Sequence, residues 1–229
     1  MEIKEKLAFT LAEVLITLGV IGVVAAITIP GLITSYNKKI TETRLAKFYS
    51  VFNQAIRLSV AENGDVDPWD DYWDNNGTIT GGQENQTGVE KAFDTYLRPY
   101  MQIAYKKRIH HGQDKILYVL PDGGAFAYNV WGTRDITFFP KDAEKCIARN
   151  MPIGTCSFMF IFYPISEAEN WKYHYNKGLE PYLYDWDGSK THLKSGATYS
   201  CANSGYYCTA MIKNNGWKIP KDYPLKLQY

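Results

Sequence analysis

Cysteines, histidines and clustered carboxylates are the residues through which this chain of 229 amino acids could do chemistry. Cys146, Cys156, Cys201 and Cys208 all lie in its second half. Their spacings do not match the short-spaced pairs of a structural zinc site, and no histidine stands beside them in a ligand pattern, so disulfides are the expected chemistry. Four cysteines allow three pairings. The nearest in sequence, Cys146 with Cys156 and Cys201 with Cys208, closes two short loops and is the pairing expected here. His110 and His111 are adjacent, which on a strand points them to opposite faces. His174 and His192 stand alone, and all four histidines read as surface or core-edge residues. The stretch "DVDPWDDYWD" holds five aspartates. A calcium loop of the EF-hand kind needs a glycine at its sixth position and a closing glutamate, and both are missing, so a solvated acidic loop is expected. Asp185-Trp186-Asp187-Gly188 reads as a hairpin turn rather than a calcium site, and Gly188-Ser189-Lys190-Thr191 as a turn with the letters of a phosphate loop in the wrong order. Nucleophile-elbow, phosphate-loop and paired-histidine zinc-protease patterns are absent. No catalytic residue, metal or cofactor is expected, and the chain does not read as an enzyme.

Glu13 is a different kind of signal. It is the single charge in "AFTLAEVLITLGVIGVVAAITIPGLI", Ala8 to Ile33. About 20 apolar residues at roughly 1.5 Å rise each let a helix cross a hydrocarbon core, and Val14 to Ile33 supplies that length. Val24-Ala25-Ala26 offers the small residues at which an ordinary signal peptide is cut, yet Ile27-Thr28-Ile29 continues the apolar pattern beyond them. An ionised carboxylate inside a bilayer costs at least about 2.5 to 3.5 kcal/mol on insertion scales and persists where it has a partner or can reach headgroups. Lys4 and Lys6 precede the run and Lys38, Lys39 and Arg44 follow it, so flanking charge leaves the orientation open.

"FTLAEVLITLGVIGVVAAITIPGL" closely resembles the N-terminus of type IV pilins and type II secretion pseudopilins. In that family a basic leader is cut immediately before a Phe, the new N-terminus is methylated, and a Glu at the fifth mature position guides assembly. The resemblance implies a leader over residues 1–8, a cut between Ala8 and Phe9, an assembly role for Glu13 and a helix kink at Pro30. Ala8 stands where most members carry Gly. It further implies a single-pass inner-membrane protein with an extracytoplasmic head that later joins a filament in the periplasm or at the cell surface. The partners implied are like or related subunits, a prepilin peptidase, an assembly ATPase, a platform protein and membrane lipid.

The elements that would position these residues follow from periodicity. After Pro30-Gly31 the pattern turns amphipathic, with Leu45, Phe48, Phe52, Ala55 or Ile56, and Ser59 recurring at three- and four-residue steps, and Asn63-Gly64 is a fitting stop. One helix of roughly 80 Å is expected, from about Phe9 to Glu62. Its segment 9–33 belongs in lipid or a filament core, and its second half forms the spine of a head over 34–229. Thr87-Gly88-Val89-Glu90 reads as a capping box that opens a short helix with Val89, Phe93 and Leu97 on its apolar face. "KILYVL", the turn Pro121-Asp122-Gly123-Gly124 and "AFAYNVW" read as a hairpin. "CSFMFIFYPI" reads as a central strand, "PYLYDW" as an edge strand, and "GYYCTAMIKNNGWKIP" as a short helix or a strand.

With 18 Tyr, 10 Phe and 6 Trp the head is expected to be β-rich. The fold class is therefore α+β, a long N-terminal helix packed on an antiparallel sheet, pilin-like. A net charge of +1 gives no global electrostatic reason to expect nucleic acid. Two other readings compete with a filament subunit. An anchored or secreted adhesin would use Trp69, Trp73 or Trp171 as exposed stacking platforms for glycans. A secreted enzyme would need a catalytic constellation that the sequence does not contain.

Overall fold

The computed structural model describes residues 10–66, 69, 88–111, 113–128, 135–162, 172–173 and 177–229. Helix α1 spans Leu11–Asn63. The chain divides into two compact units, one up to Lys38 and one from Lys39 to Tyr229. In the first, large apolar side chains from Leu11 to Ile33 are exposed, Leu11 at 79% and Ile27 at 74%. The described fold covers none of the most apolar stretch of this helix, which is long and apolar enough to cross a membrane.

In the second unit α1 buries Leu45, Phe48, Phe52, Ala55, Ile56 and Ser59, the stripe its periodicity predicts. Thr41 and Glu42 are buried as well. The helix stops where Gly64 takes φ +82°, a left-handed conformation that glycine adopts without a Cβ penalty, and donates its N–H to the Val60 carbonyl at 3.0 Å.

Six antiparallel strands pair in chain order: β1 Tyr105–His111, β2 Gln113–Val119, β3 Ala125–Tyr128, β4 Asp135–Phe139, β5 Phe158–Phe162 and β6 Leu179–Pro181. The molecule is thus α+β, a long apolar N-terminal helix with a six-stranded antiparallel sheet. Alternation along each strand sends Phe126, Phe138 and Phe160 to one face, where Phe48 of α1 meets them at ring separations of 5.4, 4.3 and 5.3 Å. Elsewhere Leu117, Ala125, Ala127 and Phe139 pack with α3, Ala143–Ala148. Met159 and Tyr182 pack with Leu193 of α4, Lys190–Lys194, and Ala210 of α5, Cys208–Asn214.

Cys146 is bridged to Cys156 and Cys201 to Cys208. The second bridge lies against two glycines. A Cβ on Gly154 would stand 2.4 Å from the Cys208 sulfur, and one on Gly205 would stand 2.0 Å from the Ile153 carbonyl oxygen. The last residues return to α1, since Ile219 donates its N–H to Glu42 at 2.9 Å and the Tyr229 hydroxyl bonds that of Thr41.

Several expectations need correction. The "GSKT" letters are not a free turn, because Ser189 is the N-cap of α4 and accepts the His192 N–H at 3.2 Å. Asp185-Trp186-Asp187-Gly188 is the approach to that cap rather than a hairpin turn. The edge strand β6 ends at Pro181, where "PYLYDW" begins, as Asp185 at φ +58° turns the chain away. The segment left open between helix and strand is helix α5. Val89, Phe93 and Leu97 are buried as expected, on α2, Gly88–Ala92, and the π turn that follows it.

Candidate functional site: the start of the apolar helix

Glu13 sits in the first turn of α1 with Thr10 just ahead of the helix. The Thr10 N–H and its hydroxyl each donate to the same Glu13 carboxylate oxygen at 2.8 Å, and the Glu13 N–H donates to the Thr10 hydroxyl oxygen at 3.3 Å. This reciprocal pattern is a capping box, Thr10 at the N-cap and Glu13 three residues on. It satisfies two amide donors that the helix cannot, and sets the carboxylate against the positive end of the helix dipole. Sequence reasoning missed the role of Thr10, although the signal Thr-x-x-Glu before an apolar run is legible at Thr10-Leu11-Ala12-Glu13.

Beyond Glu13 the run is prepared for an apolar medium. Thr17, Thr28 and Thr34 each donate a hydroxyl at 2.9 Å to the carbonyls of Val14, Val24 and Pro30, so none presents a free hydroxyl donor. Pro30 lies inside the helix. Its missing N–H leaves the Ala26 carbonyl without the amide donor of a regular helix. Ala8 and Phe9, the expected processing pair, lie outside the described residues.

The remaining candidates lie in the second unit and do not converge on a catalytic arrangement. Asp187 uses one oxygen to accept the Ser189 N–H at 2.8 Å and the other to meet His192 Nδ1 at 2.6 Å. The Ser189 N–H, with His192 beside it, holds this exposed carboxyl below the usual range, so both oxygens serve the approach to α4 and neither is offered to a cation. Trp69 is fully buried, stacked on Tyr96 at 4.6 Å, which corrects its expected role as an exposed glycan platform. Trp73, Trp171, His174 and the aspartates from Asp67 to Asp74 lie outside the described residues. His110 and His111 close β1. Among the described residues no group of three or more His, Cys, Asp and Glu is placed to hold a metal ion.

One titrating group stands out in the sheet. Asp135 opens β4 opposite Ile161, and burial pushes its carboxyl up to about 6.

A sequence profile matches residues 31–227. The chain belongs to DUF6613, a family of unknown function. No curated protein and no solved structure matches it. The DUF6613 match starts at Gly31, so what characterises this family is the head and the second half of α1. Thr10, Glu13 and most of the apolar run lie ahead of it.

Proposed function

We propose that this chain is a structural subunit of a filament of the type IV pilus or type II secretion pseudopilus kind, held in the inner membrane by its N-terminal helix until assembly. The observation that carries the reading is Glu13, one carboxylate fixed at the start of an otherwise apolar and exposed stretch of helix up to Ile33. A plain anchor has no need of a charge there. In a bundle of such helices the carboxylate has a partner, the positively charged N-terminal amine of Phe9 on a neighbouring subunit, once a prepilin peptidase has cut after Ala8. The two disulfides fit a head that faces an oxidising compartment. An assembly ATPase and a platform protein would lift processed subunits out of the bilayer.

Intact-mass measurement of the protein from its native membrane tests the processing step. A chain lacking residues 1–8 and carrying one added methyl group on Phe9 is expected. A chain starting at Ile27 would establish an ordinary signal peptide instead. Recovery of the processed chain in sheared surface or periplasmic filaments tests assembly, and its complete absence there, with processed protein abundant in membranes, would sink the filament reading.

A further inference from the structure

We propose that the head carries a site for a neutral sugar ring, in the cleft between strand β1 and helix α3. Every residue of the site belongs to the second unit, and the inference stands whether or not the chain joins a filament. Alternation along β1 puts Tyr105 and Lys107 on one face, which their cross-strand partners Val119 and Leu117 share. On this face Leu117 and Ala125 pack with α3. Helix α3 has six residues, about 9 Å at 1.5 Å each, so it covers only part of the face. A cleft of about 470 Å³ remains beside it, with Leu117 and Ala125 at its floor and Tyr105, Asp142, Glu144 and Lys145 around it. That volume suits a small molecule, and the bridge from Cys146 to Cys156 fixes the α3 wall before anything binds.

Tyr105 is the residue that selects a sugar. It is 54% exposed, and among the described residues of the second unit no other aromatic ring is exposed to that degree. The face of such a ring is flat, apolar and electron-rich, and the C–H face of a pyranose stacks on it. The hydroxyls at the edge of the sugar then meet the polar rim. Charge at this rim argues against an ionic ligand, because Glu144 is paired with Lys107 at 2.7 Å and Asp142 lies 3.7 Å from Lys141. An anion would meet two carboxylates, and a cation would have to displace two lysines. A neutral hydroxyl does neither. Each carboxylate keeps lone pairs for a second donor, and the Glu144 and Asp142 side chains remain 57% and 45% exposed to receive one. Lys145 adds N–H donors for the sugar's oxygens.

Full-length protein in nanodiscs, titrated with the methyl glycosides of glucose, galactose, mannose and N-acetylglucosamine, tests this. Saturation-transfer NMR reads the binding, with empty discs as the blank. For at least one glycoside a dissociation constant of about 0.1 to 10 mM is expected, with transfer strongest to the C–H groups of one ring face. About 0.5 M salt should leave it unchanged, since the ligand has no charge to screen. Tyr105→Ala and Tyr105→Leu should each weaken binding about tenfold or more, whereas Tyr105→Phe should stay within about twofold. Leu58→Ala, at an exposed position of α1, should bind as the unaltered chain does. No transfer to any of the four glycosides up to about 20 mM overturns the site, and so does binding that Tyr105→Ala leaves unchanged. Tighter binding of methyl glucuronide or of glucosamine than of any neutral ring overturns the assignment of a neutral ligand.

Discussion

Glu13 caps the helix, and on the filament reading proposed above it has a second role in assembly; the two are separable by substitution. As the third helical residue of a capping box it needs only an acceptor, which Gln also supplies, whereas pairing with an N-terminal amine needs its charge. Glu13→Gln should therefore keep insertion, cleavage and the helix start, and lower incorporation into filaments about tenfold or more. Thr10→Val removes the cap at about 0.5 to 2 kcal/mol but leaves the charge, and should assemble close to normally. The measurement is the ratio of processed protein in sheared filaments to that in membranes for both variants. Equal loss in both would make the cap, and not the charge, the requirement. Asp135 gives a residue-scale test in the head. Its carboxyl titrates near 6 when folded, against about 3.9 in an unfolded chain, so between those values the folded head holds a proton that the unfolded chain has released. This contribution is full below about pH 4 and is lost as pH rises through 6. Asp135→Asn should raise stability at pH 7 by about 2 kcal/mol and leave it unchanged near pH 4, as thermal melts at the two values would show. A variant no more stable at pH 7 would mean that the carboxylate finds a partner.

Among the elements, two left-handed glycines of the second unit set up a sharp comparison. Gly205 holds φ +82° with Ile153 backbone where a Cβ would go, while Gly216 holds φ +65° with nothing within 4 Å. Gly205→Ala suffers both strain and collision, and should cost well over 2 kcal/mol, against about 1 kcal/mol for Gly216→Ala. Equal melting temperatures for the two would refute the close packing of this loop. The same contrast between local and long-range causes explains which elements the sequence discloses. Helix α1 is legible from its period, its glycine stop and its apolar run, and β2, β3 and β5 are legible from their aromatic and branched residues. Strand β1 is hidden because "YKKRIHH" has no apolar alternation. It is held by pairing with β2 and by Lys106 and Arg108, which reach buried Glu90 at 2.6 and 3.4 Å. Strand β4 and helices α3 and α4 are short and find their reasons in tertiary neighbours, α3 through the bridge from Cys146 to Cys156. At the candidate site Glu13 is legible as a charge out of place. Thr10 is equally legible once the spacing to Glu13 is seen.

At the scale of the whole molecule, the core of the head owes nothing to residues before Thr41. Every buried residue of α1 lies at or beyond that point, the described strands pair within the second unit, and both disulfides close there. The buried packing of the head thus lies within its own unit, and on the filament reading proposed above the apolar segment contributes location and assembly. A chain beginning at Gly31, where the family match begins, should be soluble without detergent, monomeric, and cooperative in thermal unfolding, with both bridges formed. Replacing Cys201 and Cys208 by serine in that chain should lower its stability by about 2 to 3 kcal/mol, the chain-entropy value for a short loop, with Gly154 losing its close packing against the Cys208 sulfur. Denaturant unfolding of both chains, with circular dichroism at two wavelengths, reads the difference. Coincident transitions with an unchanged slope and a shifted midpoint are expected. If the truncated chain instead aggregated, or unfolded without a cooperative transition, the apolar helix would be part of the folding unit and the division of labour drawn here would be wrong.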